Sequence, residues 1–127
     1  MMLPVSAPFH SALMKSAEER LCADLDVVEF RDLQFPVVTN VDARMIRHGE
    51  DARDALKRQV SRPVLWQSSM LVFQQEGAET VVELGPGKVL IGLLKRISRQ
   101  WPSPPRLLNI EDGESLEKCR KALSGSA

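Results

Sequence analysis

His10, in the stretch SAPFHSALM, follows a proline and a phenylalanine and comes just before a helical pattern begins. An imidazole at such a corner is either a structural side chain satisfied by backbone or a proton handler near neutral pH. The second role, that of a general base, needs a nucleophile on one ring nitrogen and an orienting acceptor on the other. No neighbour in the sequence decides between them. LGPGKVL, residues 84–90, is the second candidate, because glycines between a strand and a helix can turn backbone amides toward an anion. A dinucleotide fingerprint wants a third glycine where Leu90 stands, and a Walker loop wants Ser or Thr where Val89 stands. A tight strand-to-helix turn is the better reading.

The other reactive residue types form no set. His48 lies in a charged loop and is given no role. Two histidines and two cysteines lack metal-ligand spacing, so no metal is expected. Trp66, Met70 and Phe73 recur at helical spacing and read as core. The sequence holds no G-x-S-x-G, no cysteine in a reactive setting and no distinctive carboxylate pair.

These residues need elements to position them. Residues 3–9 carry two prolines and read as an extended lead-in. From Ser11 a helix is expected, with Leu13, Ala17, Leu21 and Leu25 inward, Met14 and Cys22 beside them, and Glu18, Glu19 and Asp24 outward. Phe35 to Val38 reads as a short buried strand running into a polar corner at Asn40 and Asp42. RHGED reads as a loop, and Asp51 as the cap of a helix that Pro63 ends. A helix follows over VLWQSSMLVFQQEG, stopped by Gly77. TVVEL reads as a strand, and KVLIGLLKRI as a helix with Val89, Leu90, Leu93, Leu94 and Ile97 inward and cations near its end. RLLNI is one more strand, and Ser115 to Leu123 a last helix. Short strands alternating with helices predict an α/β layer fold with parallel pairing.

The bulk properties bound the functions. The chain has 127 residues, 43% of them apolar, and its 17 basic and 17 acidic residues cancel. No basic field is present for nucleic acid or an anionic membrane. No apolar run reaches the ~20 residues of a membrane span, and the N-terminus does not read as a signal peptide. Cys22 and Cys119 read as free thiols in a reducing cytoplasm.

Taken together and in order, LPVSAPFHSALM, FPVVTNVDA, RDALKRQVSRPVLWQSS and VVELGPGKVLIGLLKRI resemble the C-terminal part of malonyl-CoA:acyl carrier protein transacylases. The resemblance runs from about Leu3 to Ile97; the residues after WPSPP are nondescript. It implies the C-terminal portion of an α/β-hydrolase-like acyltransferase domain, with short parallel strands and flanking helices and without the family's small ferredoxin-like subdomain. Residues 1–9 would be the exit segment from that subdomain, 10–98 core and 99–127 a divergent end. The implied reaction passes malonyl from coenzyme A to a serine and then to the phosphopantetheine thiol of acyl carrier protein, in fatty acid biosynthesis. His10 would be the general base, and the Gln59 backbone carbonyl its orienting acceptor, which accounts for the missing triad acid. Phe9 would narrow the acyl pocket, and Asn40 would support the site. The substrates are malonyl-CoA and the carrier protein, with no cofactor.

The departures are as informative. The family's G-H-S-x-G nucleophile, its oxyanion-hole motif and its malonyl-binding arginine all match positions before residue 1. The chain alone is therefore expected to be inactive, with unpaired strand edges and exposed apolar surface, and to need an N-terminal partner. The rival readings are a segment of a polyketide synthase acyltransferase and a non-catalytic piece that binds the carrier protein.

Overall fold

The computed structural model describes residues 11–125, so Phe9 and His10 lie outside the described residues. The chain divides into two compact units, one up to Val72 and one from Phe73.

The first unit opens with a 3-10 turn at Ala12–Met14, tied by the Met14 N–H to the Ser11 carbonyl at 3.0 Å. Helix α1 (Lys15–Val27) follows. Strands β1 (Val37–Thr39) and β2 (Arg44–Ile46) form an antiparallel hairpin in register Val37 to Ile46. Its corner holds Ala43 at φ 51°, a left-handed conformation for a residue with a Cβ, pinned by its N–H to the Thr39 carbonyl at 2.8 Å. Helix α2 (Gly49–Gln59) packs on α1, and α3 (Trp66–Gln75) leads toward the second unit. Val41, Ile46, Ala55 and Met70 make the apolar core.

The second unit is a β-α-β-α arrangement. Strands β3 (Thr80–Leu84) and β4 (Arg106–Ile110) pair in parallel, Thr80 opposite Arg106. Helix α4 (Val89–Ser98) connects them and α5 (Gly113–Ser124) packs on β4. Leu94 and Cys119 are its buried centre, and Cys22 and Cys119 are both free thiols. Asp112 caps α5 by accepting the Ser115 N–H at 2.8 Å, while the Ser115 hydroxyl accepts the Asp112 N–H at 3.0 Å. Gly77, at φ 72°, stops α3 as expected, with the Ala78 N–H returning to the Phe73 carbonyl.

The mixed α/β class and the β3–β4 parallel pair match the sequence reading. Six local expectations do not hold. RHGED was read as a loop, but β2 ends just before it and α2 starts within it. Helix α2 begins at Gly49, with His48 at the cap position, so Asp51 sits in its first turn. Phe35 is exposed, because the strand begins two residues later at Val37. Leu13, expected inward, is 78% exposed because the chain there is a 3-10 turn of different pitch. Val89, Leu90 and Leu93 are also exposed: a two-stranded sheet covers only the Leu94 side of α4. Glu18, expected outward, is buried.

Gly49 shows why the α2 start is fixed. A Cβ there would lie 2.6 Å from the Phe30 carbonyl oxygen and 2.7 Å from that of Arg31. The Gly49 N–H donates to Asp32 Oδ1 at 3.0 Å, which holds that carboxyl below its usual value. No helix among the described residues is long and apolar enough to cross a membrane.

Candidate active site

The site is built on the way α1 and α2 lie together. The Arg53 guanidinium, early in α2, donates to the Leu25 carbonyl at 3.1 Å and to the Val28 carbonyl at 2.8 Å, at the far end of α1. Lys57, a turn later, pairs with Asp26. Ser61, just past the end of α2, donates its hydroxyl to Glu18 in the first turn of α1. The helices are therefore antiparallel. The start of α1 shares one end with the close of α2, where Gln59 is the last helical residue.

Gln59 stands where α2 ends. A helix leaves its final carbonyls without an intrahelical donor and carries the negative end of its dipole there, so they accept hydrogen bonds and favour a nearby cation. An imidazolium is such a cation. The two basic residues of the last turn do not cancel this. Lys57 is engaged by Asp26, and the Arg58 guanidinium bridges Asp42 at 2.6–2.8 Å and Asp54 at 2.7–2.8 Å. The bonds from Arg58 hold the Asp42 carboxyl below its usual value and raise the guanidinium further.

Glu18 has 7% of its side chain exposed, and Lys15 Nζ lies 3.1 Å from its Oε2. The Ser61 hydroxyl first, and then Lys15, holds its carboxyl below the usual 4.5. Sequence reading missed both Glu18 and Ser61. The signal was present: Glu18 stands four residues after Met14 and four before Cys22, on the apolar stripe itself.

Asn40 and Gln59 line one pocket of about 250 Å³ with Val38, Thr39, Ile46 and Leu56. The Asn40 carbonyl accepts the Leu65 N–H at 2.8 Å, which ties the hairpin corner to the approach of α3. Of the sequence candidates, the structure thus brings Asn40 and Gln59 together; His10 and Phe9 lie outside the described residues. His48 Nδ1 lies 3.6 Å from Asp32, both side chains exposed, a contact of little energetic weight.

The glycine loop is a turn filled from within. The Gly87 N–H donates to Glu111 at 2.8 Å, and the Leu90 and Ile91 amides at the start of α4 donate to Glu83 at 3.3 and 3.0 Å. The amides that could have received an anion already hold carboxylates of the same chain. Among the described residues no group of three His, Cys, Asp or Glu could hold a metal ion.

No protein-family model matches the chain. Its fold does match solved acyltransferases. A malonyl-transacylase solved in complex with its holo type II PKS acyl-carrier protein is 38% identical, with a TM-score of 0.85, over 94% of this chain and 38% of that one. Among curated proteins, malonyl CoA-acyl carrier protein transacylase of Escherichia coli K12 is 47% identical over 95 residues, 75% of this chain and 31% of the relative. The Bacillus subtilis 168 protein of the same name is 38% identical over 121 residues, 95% of this chain and 37% of the relative. The chain belongs to the malonyl CoA-acyl carrier protein transacylase family and matches its C-terminal part. It spans about a third of the length of these curated relatives.

Proposed function

We propose that this chain supplies the base-bearing part of an acyltransferase that moves malonyl from coenzyme A to the phosphopantetheine thiol of acyl carrier protein in fatty acid biosynthesis. The observation that carries this is the shared end of α1 and α2. In a chain 47% identical to a transacylase, it sets Glu18, in the first turn of α1, against Ser61, two residues after Gln59. In this reading one ring nitrogen of His10 donates to the Gln59 carbonyl. The other takes the proton of a serine as it attacks the thioester, and later that of the incoming thiol. The helix end supports the imidazolium formed in each step. Phe9 borders the acyl group, and Asn40 holds the hairpin corner against the approach to α3. Malonyl-CoA and the carrier protein are the partners.

The 127 residues contain no G-H-S-x-G, so the serine comes from an N-terminal portion of the kind that fills the rest of the relatives' length. Alone, the chain has a base but neither that nucleophile nor its oxyanion donors, and transfers no malonyl. The test is a malonyl-transfer assay on this chain, alone and co-expressed with the N-terminal part of a related transacylase, with His10→Ala as control. Activity only in the mixture, lost in His10→Ala, is expected. A mixture whose pieces associate and stay inactive overturns the catalytic reading.

A further inference from the structure

One face of the β1–β2 hairpin is apolar and incompletely covered. Val37, Thr39 and Ile46 share it, by alternation along β1 and by the Val37–Ile46 register. With Ala52 and Leu56, a turn apart on α2, they line the groove of about 250 Å³. Val37 is 39% and Leu56 36% exposed. Thr39 is only 8% exposed, and its hydroxyl has no hydrogen-bond partner among the described residues. We infer that this groove takes an extended apolar segment from the N-terminal portion of the enzyme, laid along β1 as a further strand, with a polar group on it meeting the Thr39 hydroxyl. The inference rests on the reading in which such a portion completes this chain, and it names where the two meet.

Four observations choose this occupant. A buried hydroxyl left unpaired costs free energy, so the groove calls for a partner that brings a hydrogen-bonding group as well as apolar surface. None of the residues lining the groove is charged, which suits an uncharged apolar segment and offers nothing to an ion. β1 pairs with β2 on one side, and among the described residues no strand lies on its other side, so its backbone is open to an added strand there. The side chains of such a strand would alternate as those of β1 do, and every second one would enter the groove. Finally, the fold matches a solved transacylase at a TM-score of 0.85 over 38% of that chain, so most of that protein lies outside the matched part and is long enough to supply the covering strand.

Amide hydrogen exchange of the full chain, alone and co-expressed with the N-terminal part of a related transacylase, tests this. Exchange across Val37–Thr39 should slow in the mixture. Slowing in the chain alone as its concentration rises would give the edge to a second copy and overturn the inference. Thr39→Val removes the hydroxyl at nearly the same size, and its expected effects differ in the two settings. In the chain alone it removes an unpaired group, so the thermal midpoint stays or rises. In the mixture it weakens association by roughly five-fold, the worth of one hydrogen bond, read from dissociation of the co-purified complex on dilution. Thr39→Ser, which keeps the hydroxyl, retains most of the parent affinity. A midpoint lowered by Thr39→Val in the chain alone overturns the inference, since the hydroxyl then has a partner within the chain. So does a complex in which β1 exchange is unchanged or Thr39→Val binds as the parent does, and so does a mixture that does not associate. Protection of β1 in a mixture that transfers no malonyl leaves the inference standing and removes the catalytic reading; transfer without protection does the reverse.

Discussion

Glu18 is the residue whose burial reverses the expectation drawn from its type. A glutamate on a surface helix is normally solvated, so its residue type, against its place on the apolar stripe, argues for an outward side chain; a serine 43 positions later changes that. No local pattern holds information about such a partner. Its lowered pKa has a consequence with a definite sign. Glu18, Asp32 and Asp42 are all held below their usual 4.5 or 3.8. A depressed carboxylate contributes stability that is full above its unfolded value and is lost as pH falls through its folded value. Urea unfolding followed at successive pH values should give a flat stability from pH 7 to about 5 and a fall below about 4. The fall should be shallower in Glu18→Gln. Gly49 makes a stricter demand, since any Cβ collides with the Phe30 and Arg31 carbonyls. Gly49→Ala should cost about 1–3 kcal/mol in denaturant unfolding. Ala43 runs the other way: relief of its left-handed backbone in Ala43→Gly should stabilise by about 0.5 kcal/mol, after the extra entropy of the unfolded glycine.

Elements were legible in proportion to how local their causes are. Strands β3 and β4 and helix α4 could be read directly, because an apolar run, a glycine turn and an amphipathic stretch of ten residues each declare themselves. Strand β2 could not. It is three residues long, two of its side chains are Arg and Met, and it exists because β1 pairs with it. The antiparallel placement of α1 and α2 was equally invisible, since Arg53 reaching the Leu25 and Val28 carbonyls is a tertiary event. Yet that placement is what brings the close of α2 to the start of α1. At this scale Glu83 can be tested: it caps α4 from the preceding strand, a task Lys88 at the cap position does not perform. Glu83→Ala should lower stability by about 1 kcal/mol in chemical denaturation, with α4 amides exchanging first.

For the whole molecule, the family was legible from four spaced segments, and the relatives bear this out at 38–47% identity. How much of the surface is covered was not legible from local pattern. Among the described residues two separate two-stranded sheets leave open edges, and Phe35, Leu84, Val89 and Leu90 stand exposed. A lone pair of strands is marginal without further packing. The chain on its own should therefore self-associate: sedimentation at rising concentration should show growing mass. Leu90→Lys together with Leu93→Lys, which charge the uncovered side of α4, should reduce it.

The corner at Gly87 has one more consequence. Glu111 and Glu83 act there as built-in counter-ions for the amides of the glycine turn and of α4. A sequence pattern that elsewhere advertises a phosphate cradle is here already neutralised by its own chain, and inorganic phosphate should leave the thermal midpoint unmoved. What the glycines admit is a strand, a helix and two glutamates at close quarters, and the loop is selective for its own protein.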